Sequence, residues 1–209
     1  MLNVITLLNG PIEENCYVIH ETGLDQAIVI DPGSSPEQLK KAIDGAGLKP
    51  VLILATHGHF DHVGAVQALA EAYAAPFACH AAEEEMLEAL EDTYMMYGMG
   101  KTKRPKIGRS LGDGELIEAG GVTLKAIHTP GHTLGGLCFY HAPSQALFSG
   151  DTLFRRSIGR SDFPGGDGAQ LVKGIREKLF SLPPETKVYP GHGDATTIGE
   201  ELAENPFAR

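Results

Sequence analysis

The chain has 209 residues, 42% of them hydrophobic, which suits a single compact domain over 1–209 built from two β-rich halves. Its formal net charge of −10 argues against nucleic acid or an anionic membrane as a partner and leaves small neutral or anionic metabolites as expected substrates. Residues 1–9 lack the features of a signal peptide and no apolar run reaches membrane-spanning length; with Cys16, Cys79 and Cys138 read as buried reduced thiols, a cytoplasmic monomer or small homo-oligomer is expected.

β-Branched and apolar residues bounded by Gly, Pro and Asn predict short strands over 4–8, 16–20 and 27–30. Asp31-Pro32-Gly33-Ser34-Ser35-Pro36 breaks the chain, and a helix is predicted over 37–46. The apolar run 51–55 reads as a buried strand, while Val63, Val66, Leu69, Ala70 and Tyr73 have helical spacing over 63–73. A short strand near Phe77 and an acidic helix over 82–91 follow, and 94–114 is the least regular stretch. A second strand group begins at Glu115 and includes 122–127, 137–140 and 146–148. A helix over 169–181, a strand over 187–189 and a helix over 197–204 complete the prediction. The repeated order of strands and helices points to an α+β fold with helices outside two sheets, without an internal sequence repeat.

Directly after the strand over 51–55 the chain reads T-H-G-H-F-D-H-V-G, which gathers His57, His59, Asp61 and His62 within six residues. Imidazole and carboxylate are ligands of zinc and iron. Ligands sharing a helix face are three or four apart, whereas His57 and His59 are two apart, so the motif is expected on a loop at the carboxyl end of a strand. Helix capping by Asp61 or His62 would not account for three clustered histidines. Three later segments share one arrangement, T-P-G-H-T with His132, F-S-G-D-T with Asp151 and Y-P-G-H-G with His192, in which the preceding glycine lets the backbone bend closely around an ion. Seven candidate ligands are too many for one tetrahedral zinc and suit two metals with a shared carboxylate. Two divalent ions are expected, zinc foremost, with iron or manganese accepted by the same residue types. His20, His80 and His141 read as structural or surface imidazoles.

H-G-H-F-D-H, then G-H, G-D-T and G-H in that order, resembles the metallo-β-lactamase superfamily over essentially the whole chain. Within it the sequence is similar to short-form glyoxalase II, the hydroxyacylglutathione hydrolases, through D-T-L-F at 151–154, I-G-R-S-D-F-P-G-G at 158–166 and T-I-G-E-E-L-A-E-N-P-F at 197–207. The resemblance implies a four-layered αββα sandwich with metals at one edge. It implies that His57, His59 and His132 bind one metal, that Asp61, His62 and His192 bind the other, and that Asp151 bridges them. Asp61 and Asp151 would thus serve the reaction as ligands, with Asp61 not acting as a base. Asp31, in I-D-P-G, would be a buried group that orients a ligating histidine, and His128 would not be a ligand. Arg160, nine positions after Asp151, would contact a glutathione carboxylate. Two departures accompany this: the aromatic residue expected two positions later is Asp162, and no C-terminal helical glutathione-binding domain is expected in the chain.

Two metals sharing a carboxylate bring a bridging water to a pKa of roughly 7. The expected activity is therefore hydrolysis of a small anionic thioester, an S-acylglutathione or related thiol ester, whose thiolate leaves with little protonation. Asp151 and the missing secretion signal argue against an antibiotic-hydrolysing role. The alternatives within the resemblance are a persulfide dioxygenase with one iron on His57, His132 and Asp151, and a lactone hydrolase. A purely structural metal protein is disfavoured, because structural zinc sites close with four ligands and favour cysteine. Lys101, Lys103, Arg104, Lys106 and Arg109, preceded by Tyr94, Met95, Met96, Tyr97 and Met99, read either as a lip that attracts an anionic thiol carrier or as a solvated loop whose Met and Tyr residues cover core. Arg155 and Arg156 share that ambiguity.

Overall fold

The computed structural model describes residues 1–208. β1 (Leu2–Asn9), β2 (Glu14–Glu21) and β3 (Gln26–Ile30) pair antiparallel in succession, and after α1 (Pro36–Gly45) the strand β4 (Lys49–Leu54) lies parallel to β3. The helices α2 (Phe60–Val63) and α3 (Val66–Tyr73) lead to β5 (Phe77–Cys79), then α4 (Glu84–Glu88) and α5 (Leu90–Met96) to β6 (Arg109–Ser110), which completes a six-stranded sheet in chain order. In the second half β7 (Leu116–Ala119), β8 (Val122–His128), β9 (Leu137–His141) and β10 (Ala146–Gly150) form an antiparallel meander. A hairpin of β11 (Leu153–Phe154) and β12 (Ser157–Ile158) and the helix α6 (Gly168–Gly174) precede β13 (Lys187–Pro190), which runs parallel to β10; β14 (Thr196–Thr197) and α7 (Ile198–Glu204) follow.

Side chains alternate across a strand, so a strand buried on both faces reads as a continuous apolar run. In β2, Cys16 and Val18 point to α1, α3, α4 and α5, where Leu39, Ile43, Val66, Leu69, Leu87 and Leu90 complete one core layer. Tyr17 and Ile19 point the other way and join Leu124, Ala126, Phe139 and Phe148 of the second sheet in a central layer. On the far side of that sheet Cys138, Leu147 and Val188 meet Leu171, Ile175, Leu179 and Ile198 in a third layer. Helices, sheet, sheet and helices make the four-layered αββα sandwich. With both faces apolar, polarity cannot fix the register between the sheets. Shape and hydrogen bonds do: Tyr17 packs on Phe148 and Tyr189 at ring separations of 5.3 and 5.6 Å, and its hydroxyl donates to the Pro190 carbonyl at 2.6 Å.

The helix predicted over 63–73 begins instead at Val66, because the Ala65 amide donates to the Pro32 carbonyl at 2.9 Å and interrupts the helix beside the loop after β3. The acidic helix over 82–91 is divided into a short 3₁₀ turn, α4 and α5, and extends to Met96 because Leu90 and Tyr94 are buried in the first core layer. In the helix over 169–181, α6 starts at an Asp167 cap that accepts from Gln170 N, and 175–179 widens to π geometry while keeping Ile175 and Leu179 buried.

The parallel pairs β3–β4 and β10–β13 run out toward one edge of the sandwich, which delivers Asp31, His57, Asp151 and His192 to the carboxyl ends of four strands. The β11–β12 hairpin beside that edge is tied down from α7. Fully buried Glu201 accepts from Arg156 N (2.8 Å), Arg156 guanidinium (2.9 Å), Thr196 Oγ1 (2.6 Å) and Asn205 Nδ2 (2.9 Å), and Asn205 Nδ2 also donates to the Ser157 carbonyl. Glu201→Ala removes the buried acceptor that these donors share and is expected to lower the free energy of unfolding by about 3 kcal/mol in urea titrations; a change within experimental error would show that the hairpin does not depend on this anchor.

Candidate metal centre

Asp31 ends β3 with a left-handed backbone, φ +53°, an uncommon conformation for a residue other than glycine. That turn aims its carboxylate at the end of β4, where Thr56 N and Thr56 Oγ1 donate to it at 2.6 and 2.7 Å. His62 Nδ1 lies 3.1 Å from the same carboxylate and donates to it. Since the Thr56 hydroxyl proton is given to Asp31, its oxygen accepts from His57 Nδ1 at 3.0 Å. His132 Nδ1 donates to the Arg160 carbonyl at 2.7 Å. In all three rings the rear nitrogen is therefore the protonated one, and Nε2 turns its lone pair toward the cluster.

These lone pairs converge. His59 Nδ1 is 3.0 Å from both His57 Nε2 and His132 Nε2, which are 3.3 Å apart. A second group forms beside it: Asp61 Oδ2 is 3.6 Å from His62 Nε2 and 3.2 Å from His192 Nε2. Asp151 reaches both, with Oδ1 3.4 Å from His62 Nε2 and Oδ2 3.5 Å from His132 Nε2 and 3.8 Å from His192 Nε2. His62 Nε2 and Asp151 Oδ1 are buried without a hydrogen-bond partner. Where acceptor faces acceptor at such distances, as between His57 and His132 Nε2 and between His62 Nε2 and Asp151 Oδ1, they repel unless a proton or cation lies between them, and the donor types suit two divalent ions.

Protonation tendencies differ between the two groups, with His57 and His59 lowered and His62 and His192 raised. Burial, then the surrounding imidazoles, depresses His57 well below the usual histidine range, and the same causes push His59 down to about 4, which leaves both rings in the neutral form that ligates. Burial opposes ionisation of Asp151, but His62, followed by His132 and His192, holds its carboxyl well below the usual range. Burial likewise opposes charge on His62, yet Asp151 and Asp61 raise its pKa; that proton sits where a metal would compete with it.

The structure thus brings together all seven candidate residues, with Asp31 directly behind His62. Two of them stand differently from expectation. Asp61 and His62 lie on the single helical turn α2, not on a loop, while His57 precedes it in a bend and His59 in extended backbone. The glycines before Asp151 and His192 do more than bend the chain: a Cβ at Gly150, φ +48°, would come within 2.2 Å of Thr56 Oγ1, and one at Gly191 within 2.2 Å of Asp151 Oδ1. His80 and His141 cap short 3₁₀ turns, in keeping with structural roles, and the three cysteines are buried and free.

Above the cluster opens a cavity of about 640 Å³ walled by Phe60, Met86, Tyr97, Phe154 and Phe163. Arg160 lines it, but its guanidinium is engaged by Asp162 at 3.0 and 3.1 Å, so its backbone carbonyl, not its charge, makes the firm contact with the cluster. The basic stretch 101–109 does not border the cavity. Lys103 pairs with Glu71, Arg104 with Glu84 and Glu88, and Arg109 with Glu115. Of the expected lip, Tyr97 lines the cavity and stacks on Phe60 at 4.5 Å, whereas Tyr94 is buried in the first core layer. Arg155 and Arg156 are paired with Asp194 and Glu201. Sequence reasoning missed Glu14, a fully buried carboxylate 4.0 Å from His62 Nδ1 without a hydrogen-bond partner, whose pKa burial raises. At the start of a strand it carries no signal that separates it from a surface residue.

A family model described as the metallo-beta-lactamase superfamily matches residues 9–192. The chain is 35% identical over 202 residues to the hydroxyacylglutathione hydrolase GloC of Haemophilus influenzae, covering 93% of this chain and 92% of that protein. Among solved structures, BLEG-1 B3 metallo-beta-lactamase superposes with a TM-score of 0.91 at 37% identity, covering 100% of this chain and 99% of the other. TTHA1623 in a di-iron-bound form superposes with a TM-score of 0.86 at 40% identity, covering 98% and 99%.

Asp151→Ala removes the carboxylate that faces both groups. Elemental analysis is expected to find fewer than two divalent ions per chain, with turnover lower by about 100-fold or more; two ions retained at full turnover would refute a bridging role. Asp31→Asn keeps an acceptor for His62 but removes its charge, and is expected to weaken metal binding about 10–100-fold in chelator competition.

Proposed function

The chain belongs to the metallo-beta-lactamase superfamily, whose members are mostly metal-dependent hydrolases, and from that premise we propose that it hydrolyses a thioester of the glyoxalase II type, an S-acylglutathione or related thiol ester. The observation that carries this reading is the lining of the cavity: every imidazole and carboxylate among its lining residues, His59, Asp61, His132, Asp151 and His192, belongs to the cluster itself. Among the described lining residues no imidazole or carboxyl group outside the cluster is present to protonate a leaving group, and the remaining hydroxyl acid, Tyr97, has its ring stacked on Phe60. A thiol with a pKa near 8.5 leaves as the anion at neutral pH, whereas an alcohol or amine needs a proton.

In this reading His57, His59 and His132 would hold one ion and Asp61, His62 and His192 the other, with Asp151 available to both groups. When bound, such ions supply a nucleophilic water of lowered pKa and polarise an acyl carbonyl. The chain's own residues do the rest. Asp31, Thr56 and the Arg160 carbonyl keep the rings of His62, His57 and His132 in the ligating tautomer. Phe60, Tyr97, Phe154 and Phe163 form an apolar wall against which acyl and thiol chains can pack and exclude water. Arg160 reaches an anionic thiol carrier only by exchanging Asp162 for the substrate carboxylate. Zinc is the first choice of metal from the donor types, and the di-iron form of TTHA1623 supports iron as well. The buried free cysteines support a reducing compartment such as the cytoplasm, and no helix among the described residues is long and apolar enough to cross a membrane.

A second reading, β-lactam hydrolysis, is favoured by the likeness to BLEG-1. The two separate in one assay of the natively metallated protein against a glutathione thioester, a coenzyme A thioester, a lactone and a β-lactam. The glutathione or coenzyme A thioester is expected to give the highest kcat/KM, by about 100-fold or more, roughly the gain from a positioned acid that the other leaving groups lack here. A β-lactam or lactone turned over as well as either thioester would overturn the proposal, as would persulfide-dependent oxygen uptake with one iron per chain.

A further inference from the structure

Glu83 is buried, 1% exposed, in the 3₁₀ turn Ala81–Glu83 that follows β5, and it lies outside the cluster of candidate ligands. Its two carboxylate oxygens are used separately. Oε2 accepts from the backbone amide of Gly58 at 2.6 Å, and Oε1 accepts from the backbone amide of Gly135, also at 2.6 Å. Gly58 stands between His57 and His59, and Gly135 is three residues after His132. One side chain therefore joins the two loops that present these three imidazoles, one from each half of the sandwich.

The sequence accommodates this contact closely. A Cβ at Gly58 would lie 2.9 Å from Glu83 Oε2, and one at Gly135 would lie 2.6 Å from Oε1. Any larger residue at either position holds its loop away from the carboxylate, which gives the glycine of H-G-H and that of T-L-G a role that metal ligation alone does not. Short hydrogen bonds from amides to a buried carboxylate are charge-assisted and stronger than neutral ones. They act on loops whose lone pairs repel one another, where drift by even a fraction of an ångström spoils ligand geometry.

We propose that Glu83 is a positioning residue that clamps the 57–59 and 132–135 loops together and thereby sets the spacing of the His57, His59 and His132 group, leaving the Asp61, His62 and His192 group largely independent of it. This rests on the proposed reading of those groups as two metal sites. His192 comes from the loop after β13, which Glu83 does not touch, and His62 is held from behind by Asp31.

The test is zinc titration against a chromophoric chelator. Glu83→Gln keeps the size of the side chain but turns one oxygen into an amide donor facing an N–H. The wild-type chain is expected to bind two zinc ions, and Glu83→Gln to weaken one of them about 10–100-fold while the other shifts less than about threefold. Backgrounds assign the site: added to His192→Ala, Glu83→Gln should weaken the remaining site by the full factor, and added to His59→Ala it should have little effect. Failure of the wild type to bind zinc would remove the two-site reading itself and the inference with it. Two sites in the wild type with Glu83→Gln affecting neither, or both equally, would overturn the clamp alone. Should Glu83→Gln not fold, Gly135→Ala presses on the same contact from the other loop; a selective loss at the same site supports the clamp, and an unselective or absent one overturns it.

Discussion

Three imidazole nitrogens from two distant loops stand within 3.3 Å of one another, an arrangement suited to a shared cation. His57 and His132 turn their Nε2 lone pairs toward each other at 3.3 Å, because the proton of each ring is hydrogen-bonded from behind and points away, and His59 Nδ1 lies 3.0 Å from both. Everything around them acts as a brace. Thr56, Asp31 and the Arg160 carbonyl fix ring direction, and the strands fix where the rings begin.

The brace works because the sandwich separates its tasks. Its three apolar layers are fully buried and supply most of the stability, at roughly 1.5–3 kcal/mol for each large aliphatic side chain. The edge where β3, β4, β10 and β13 end can then hold polar groups that stabilise nothing in themselves. Asp31 is the clearest case, since a left-handed backbone and a buried carboxylate both cost free energy, yet its three donors from Thr56 and His62 fix the geometry of β4's end and of α2 together. Glu201 does the same for the β11–β12 hairpin, and Asn15, donating to the Pro190 and Gly193 carbonyls, for the loop that carries His192.

The candidate ligands were legible in the sequence because His57, His59, Asp61 and His62 crowd into six residues and because His132, Asp151 and His192 each follow a glycine. Core strands were legible because burial on two faces leaves continuous apolar runs such as A-I-V-I and V-L-I-L. Groups whose meaning depends on a distant partner were not. Glu14 and Glu83 have the local appearance of surface acids, one beside Glu13 and the other within E-E-E, and only the fold puts them in the interior. The basic run at 101–109 misled in the opposite sense: its positive charge looks directed at a substrate, but the partners of Lys103, Arg104 and Arg109 are acids from α3, α4 and the segment before β7. The break between α2 and α3 was hidden for the same reason, since it comes from the Pro32 carbonyl taking the Ala65 amide.

Asp151 is the side chain that faces both groups of candidate ligands. Its oxygens are directed differently, Oδ1 toward His62 and Oδ2 toward His132 and His192, and Gly191 leaves no Cβ to displace it. A charge brought to either group is felt by the other through this shared carboxylate in a buried setting where screening by water is weak. The apolar wall above adds no charge of its own, and the guanidinium of Arg160 is already engaged by Asp162. On the proposed thioester reading, selection among acyl and thiol groups would therefore fall to the shape of the aromatic wall, above all to Phe60 and Tyr97, whose stacked rings join α2 to the residue after α5.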